Sequence, residues 1–213
     1  MQAQSFAPYE SLAGPLIPHA ADSGDGSHDL AHIHRVFRNA MRIHADEGGD
    51  GRVLAASVLL HDCVAVEKNS PLRAEASRLA AEKATGILEA LGWRQADIDA
   101  AAHAITTHSF SANIEPQTLE AKILQDADRL DAIGMVGAAR CFYIAGRMGS
   151  ALYDPADPLA KDRPLDDRAF AIDHFETKLF KLADGFRTET GRQMAKARHE
   201  RLKQVLDLFL DEI

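Results

Sequence analysis

His61 and Asp62 follow directly on VLAASVLL (53–60), the most apolar segment of the chain. An imidazole and a carboxylate at the end of a buried segment are costly unless something compensates them. A divalent cation does so, because it takes a neutral imidazole nitrogen and a carboxylate oxygen together. The competing reading is an aspartate that merely satisfies backbone groups at a helix end. Upstream, HDLAHIHR supplies His28, His32 and His34. His28 and His32 share a helix face, while His32 and His34 flank the apolar stripe centred near Phe37 and His44 on either side. Downstream, LQDADRLDA carries Asp126, Asp128 and Asp131 among Ile123, Leu124, Leu130 and Ile133. One upstream histidine, the His-Asp pair and one downstream aspartate would make a site of two imidazoles and two carboxylates. Periodicity alone does not choose among the three histidines or the three aspartates.

Other polar groups lie near these segments in the sequence. HAITTHS spaces His103 and His108 so that both cannot point the same way on a straight helix. Lys68 sits in the VEKNSP turn just past the His-Asp pair, and Arg129 is next to Asp128. Lys122 can pair with Glu120 or Asp126, and Arg35 with Asp29 or Asn39. His174 and Lys178 are one turn apart in DHFETKLFKL. His19, His44 and His199 read as structural or surface groups.

The elements that must position these residues are helical almost throughout. A stripe at Ile33, Val36, Phe37, Ala40, Met41 and His44 predicts a helix over 28–47, stopped by Gly48-Gly49. Segment 53–60, apolar on all sides, predicts a central helix. Ser70-Pro71 opens a helix running to about Leu91, and another spans about 96–108. Pro116 introduces two helices that meet near Gly134. Helices near 168–183 and 191–211 close the chain. Residues 1–27, rich in Pro and Gly, read as a loop or a loosely docked arm. YDPADPLAKDRPLDD (153–167) reads as a loop long enough for a functional flap, a lid over the site. The expectation is all-α, with one domain over 28–213.

Composition narrows the class. The 213 residues carry 24 Lys+Arg and 32 Asp+Glu, so the net charge is 24 − 32 = −8. That balance is unfavourable for nucleic acid polymers or anionic lipid, whose binding depends on basic residues. Cys63 and Cys141 show neither disulfide nor zinc-site spacing and read as small buried apolar residues in a reducing compartment. No run approaches the ~18 apolar residues of a membrane span. The opening MQAQSFAPYE lacks the pattern of a signal peptide, so the expected location is the cytoplasm.

The order His … His-Asp … Asp on helices resembles the HD superfamily of metal-dependent phosphohydrolases, in particular its small bacterial members. HDLAHIHRVFRNA, VLLHDCVAVEKNSPLRAEASRLAAEKA, HAITTHSFSANIEPQTLEAKILQDADRLDAIGMVGAARCF and the RPLDDRAFAIDHFETKLFKL region resemble successive segments of that family, covering His28 to about Arg198. The resemblance implies an all-α HD-domain helical bundle with a metal site between core helices. It assigns His32, His61, Asp62 and Asp128 as ligands of one divalent ion, with Asp126 as the fallback for Asp128. Mn²⁺ is the expected ion, with Mg²⁺, Fe²⁺, Zn²⁺ and Co²⁺ also suited to the ligands. Asp62 would additionally orient or deprotonate the attacking water. Lys68 and Arg129 join it as catalytic candidates, and Arg35, His108, Lys122, His174 and Lys178 as contacts to substrate phosphates. His103 is expected in the core or behind the ligands rather than at a second metal. The implied reaction is hydrolysis of a nucleoside triphosphate to monophosphate and pyrophosphate. Nucleotide monophosphatase or phosphodiesterase activity, or a non-catalytic nucleotide-sensing module, are the alternatives. The expected partner is a small nucleotide or phosphate ester, with self-association left open.

Overall fold

Asp50 starts the helix around which the first half of the chain packs. Its carboxylate accepts from the backbone N–H of Arg52 and Val53 at 2.9 and 3.1 Å, satisfying two donors that a helix start leaves unpaired. Glycine at 51 is required by close approach: a Cβ there would overlap the Tyr9 hydroxyl and the His44 ring. The helix therefore begins earlier than its apolar run suggests, at Gly51, and ends at Leu60.

The computed structural model describes residues 3–20, 30–64, 66, 73–109 and 113–213. Among these are nine α-helices and no strand beyond an isolated bridge between Ala151 and Phe170. The chain falls into two compact units, Met1–Asp128 and Arg129–Ile213.

In the first unit the helices are α1 (Glu10–Leu16), α2 (Leu30–Glu47), α3 (Gly51–Leu60), α4 (Ala76–Ala90) and α5 (Gln95–His108), with α6 (Leu119–Asp131) running to its end. Helix α3 packs against α1, α2, α4 and α5. Its Leu54, Val58, Leu59 and Leu60 are fully buried, each contributing about 1.5–3 kcal/mol by leaving water. Helix α6 begins after Pro116, because Thr118 Oγ1 accepts from the Ala121 N–H. The proposed helix start at Ser70-Pro71 lies outside the described residues; α4 follows a 3-10 turn at Arg73–Glu75.

Within the loop or docked arm expected over 1–27, the described residues 3–20 are largely helical. Residues 3–20 form a 3-10 turn at Ala3–Phe6, then α1, then a second 3-10 turn at Ile17–His19. Phe6, Ala13 and Leu16 are fully buried. The aromatic ring of Phe6 meets Phe37 edge-on, centroids 5.1 Å apart. Proline and glycine density signalled a loop, but three well-spaced apolar side chains suffice to seat the Ala3–Phe6 turn on α2 and α1 on α3.

The second unit holds α7 (Gly134–Met148), α8 (Asp173–Thr177) and α9 (Glu189–Asp211). Gly134 separates α6 from α7 with φ +75°, in the left-handed region glycine favours. Phe175, Leu179, Leu202 and Leu206 centre its core. The helix expected near 168–183 is broken. Asp166 binds the Arg168 and Ala169 N–H groups, and after α8 the backbone turns at Lys178 into a 3-10 turn, Leu179–Ala183. Such side-chain bonds to local backbone compete with helix. The 153–167 segment has turns but no helix, and Arg163 ties it down. Its guanidinium grips buried Asp173 at 2.6 and 2.9 Å, reaches Asp154 at 3.1 Å and lies over the Phe170 ring.

Both cysteines are buried, their thiols facing the carbonyls of Ala80 and Ala171. Burial pushes each thiol up to about 11, so at pH 8 only ~0.1% is thiolate. Iodoacetamide should therefore label neither in the native protein over a period that labels both in denaturant, as read by intact mass. Rapid native labelling would contradict this burial.

Candidate metal centre

Two histidines in the first unit end helices in the same way. His61 caps the C-terminus of α3 and directs Nδ1 to the Val58 carbonyl at 2.8 Å. His108 ends α5 and directs Nδ1 to the Ile105 carbonyl at 2.6 Å. Each bond uses a carbonyl that a helix end leaves unpaired, and places the ring hydrogen on Nδ1. In the neutral form Nε2 is then a bare lone pair. Burial pulls the His61 pKa below its ordinary value, reinforced by the neighbouring His108 and His32 and opposed by Asp62 and Asp128. The two rings meet edge to face, centroids 4.9 Å apart.

The Nε2 atoms point into a cluster. His32 Nε2, from α2, lies 3.3 Å from His61 Nε2, 3.6 Å from Asp62 Oδ2 and 3.5 Å from Asp128 Oδ1. His61 Nε2 lies 3.5 Å from Asp62 Oδ2 and 4.0 Å from Asp128 Oδ1. The other Asp62 oxygen, Oδ1, lies 3.8 Å from His108 Nε2. Four atoms around an ion with bonds of ~2.1 Å stand ~3.0–3.4 Å apart as nearest neighbours. The spacings around His32 and His61 are at and slightly beyond that range, as donors to a common cation require. Its exposure is asymmetric: the His32 and His61 side chains are 1% and 0% exposed, those of Asp62 and Asp128 26% and 30%. Nitrogen thus forms the buried wall and oxygen the side open to solvent.

Among the described residues, two groups could hold a metal ion, His32/His61/Asp128 and His61/Asp62/His108. His28 lies outside the described residues, as does Lys68. His34 instead meets the Ser5 carbonyl at 3.1 Å and the Phe6 ring edge. Asp126 is buried and Asp131 faces Arg140 at 3.4 Å; neither belongs to the two groups. His103 Nε2 accepts from the Gln117 N–H at 3.0 Å, separate from His108. Arg35 and Lys122 are half-buried. In the second unit, Arg129 Nη1 donates to the carbonyls of Asp184 and Gly185, both at 3.0 Å. His174 Nδ1 meets Asp167 at 2.8 Å and Lys178 is exposed.

Sequence reasoning treats Asn39 only as a partner for Arg35 and passes over Gln125. Both are buried side-chain amides bonded to the backbone of a neighbouring helix, Asn39 to the Ala127 carbonyl and Gln125 to the Thr107 carbonyl. The available signal was a polar residue inside an apolar stripe, Asn39 among Val36, Phe37, Ala40 and Ile43.

The HD-domain family profile matches residues 29–133, a stretch running from just before α2 to just beyond α6. Over 181 residues the chain is 34% identical to the uncharacterized protein YpgQ of Bacillus subtilis, spanning 83% of this chain and 80% of YpgQ. The chain belongs to the HD superfamily. Among solved HD structures, an HD-superfamily hydrolase from Bacillus thuringiensis is 31% identical with a TM-score of 0.70, over 98% of this chain and 94% of that one. The structure of B. subtilis YpgQ in complex with ADP is 31% identical with a TM-score of 0.71, over 100% and 97%. The all-α architecture expected from the sequence is that of an HD domain, and the kinship supports a hydrolase. No described helix is long and apolar enough to cross a membrane.

Proposed function

We propose that the protein is a metal-dependent phosphohydrolase of nucleotides, converting a nucleoside triphosphate to the monophosphate and pyrophosphate. The observation that carries this reading is the convergence of His32 and His61, whose Nε2 atoms lie 3.3 Å apart and each 3.5–4.0 Å from carboxylate oxygens of Asp62 and Asp128. We assign these four as the ligands of one divalent ion; mixed imidazole and carboxylate ligation suits Mn²⁺, Fe²⁺, Zn²⁺ and Co²⁺, of which Mn²⁺ is proposed. The ADP complex of YpgQ supports a nucleotide as ligand. When bound, the cation supplies an acidified water and a polarised phosphoryl oxygen.

The chain's own groups do the rest. The water oxygen attacks the α-phosphorus, the bond from that phosphorus to the bridging oxygen breaks, and pyrophosphate leaves. Asp62 orients the water and takes its proton through Oδ1, the oxygen turned towards His108. His108, with Nδ1 committed to Ile105, offers only Nε2 to this space, where it would meet a phosphate oxygen. Lys68, Arg35 and Lys122 are assigned to neutralising phosphate charge, which phosphoryl transfer needs on its non-bridging oxygens. Half-exposed Asp62 and Asp128 give the substrate its approach.

A panel of nucleotides with Mn²⁺ or Mg²⁺, with pyrophosphate and phosphate assayed separately, tests the reaction. Pyrophosphate and monophosphate in equal amounts are expected from a triphosphate. Phosphate alone from monophosphates would replace this reading with a monophosphatase, and cleavage confined to phosphodiesters with a phosphodiesterase. Tight nucleotide binding with no product would make the protein a sensing module.

A further inference from the structure

The four ligand residues come from three places on the chain: α2, the end of α3 and α6. Their mutual distances therefore depend on how these helices are registered, and apolar packing alone tolerates small slides. Two buried amides sit at the joints. Asn39 is two turns after His32 on α2, and its Nδ2 donates to the Ala127 carbonyl at 3.0 Å, the residue preceding Asp128. Gln125, one turn before Asp128 on α6, donates through Nε2 to the Thr107 carbonyl at 2.8 Å, the residue preceding His108. Asn39 is 6% exposed and Gln125 4%, so each bond is shielded from water, and losing it leaves a costly vacancy.

The two acceptors differ. Ala127 lies inside α6, and its carbonyl has a second lone pair for the amide beyond the helical bond. Thr107 is among the last four residues of α5, whose carbonyls lack an intrahelical partner. Gln125 thereby caps the helix that ends in His108, beside the carbonyl of Ile105 that His108 itself takes up. The chain of bonds runs α2 to α6 to α5, and at each joint it grips the backbone next to a residue of the cluster.

We infer that Asn39 and Gln125 are positioning residues that set the spacing of the metal cluster, Asn39 fixing Asp128 against His32 and Gln125 fixing His108 against Asp128. This rests on the metal reading above. It acts through the ligands' geometry, so it should appear in cation binding before any turnover is measured. Outer partners of metal ligands typically contribute ~10–100-fold to metal affinity.

The test is Co²⁺ binding to the full-length, chelator-stripped protein, by competition with a chelating dye and by the visible absorption of bound Co²⁺. Asn39→Leu and Gln125→Met remove the donor at similar volume. Each is expected to weaken Co²⁺ binding ~10–100-fold and to shift the visible bands. Leu88→Ala, which empties part of the core on α4, a helix that carries none of the cluster residues, is the control for general destabilisation. It should keep wild-type Co²⁺ affinity and spectrum even where it lowers the melting temperature as much as the other two. Wild-type affinity and bands in both amide variants would overturn the inference while leaving the metal reading intact, and so would a loss matched by Leu88→Ala. Absence of Co²⁺ binding by the wild type would overturn both. If one variant does not fold, the other decides, since the two act at separate joints.

Discussion

Replacing His61 with alanine should empty the metal site. Protein purified without chelator is expected to contain about one divalent ion per chain, and His61→Ala close to none. Hydrolysis should fall by at least ~100-fold, more than the loss of an outer partner alone would produce. The reason is geometric: His61 Nε2 lies within 4.0 Å of the nearest atoms of His32, Asp62 and Asp128. Stability gives an independent readout, because a ligand that binds only the folded protein stabilises it by mass action. A cation at ~100 times its dissociation constant adds ~2.7 kcal/mol. Each kcal/mol raises Tm by ~2–4 °C in chains of this size, so the wild type should melt ~5–10 °C higher with metal. His61→Ala should show no such rise. A variant that retained stoichiometric metal and its thermal shift would sink the assignment.

Asp128→Ala should behave like His61→Ala, and Asp126→Ala should keep its metal. The reverse outcome would transfer the ligand role to Asp126. Both aspartates stand on the same helix among apolar neighbours, so hydrophobic periodicity could not separate them. Tertiary packing does: Asp126 is 1% exposed and lies in neither cluster, whereas Asp128 is half-open and within reach of both imidazoles.

The same division runs through the rest of the molecule. Helices such as Leu30–Glu47, Gln95–His108 and Glu189–Asp211 were legible because apolar spacing and turn residues are local signals. Which side chain enters the cluster is not local. His32 and His34 flank one apolar stripe symmetrically, and the symmetry is broken by the Ser5 carbonyl, which holds His34 from a distant part of the chain. The amides of Asn39 and Gln125 likewise have meaning only through backbone carbonyls 88 and 18 positions away. The break at Lys178 is not legible in the sequence for a related reason. The ties from Asp166 to backbone and from Asp167 to His174 and Thr177 are side-chain bonds that hydrophobic periodicity does not register.

Phe6→Ala should destabilise the protein by about 3–5 kcal/mol, the range for deleting a fully buried aromatic side chain. That is a large fraction of the ~5–15 kcal/mol that holds a typical domain. A loosely docked arm predicts something quite different, a change within ~0.5 kcal/mol, as for an ordinary surface position. The structure supports the larger figure because Phe6 is 0% exposed and its ring meets both Phe37 and His34 on α2. Tyr9 adds a second edge-on contact to Phe37 at 6.4 Å. Denaturant unfolding measures the cost, provided the slope with denaturant is unchanged. Metal affinity should fall with it, because Phe37 and His32 are on the same helix and Phe6 braces that helix against the segment that also captures His34. A Phe6→Ala protein with wild-type stability would mean that residues 3–20 do not belong to the core, and that α2 holds His32 in place without them.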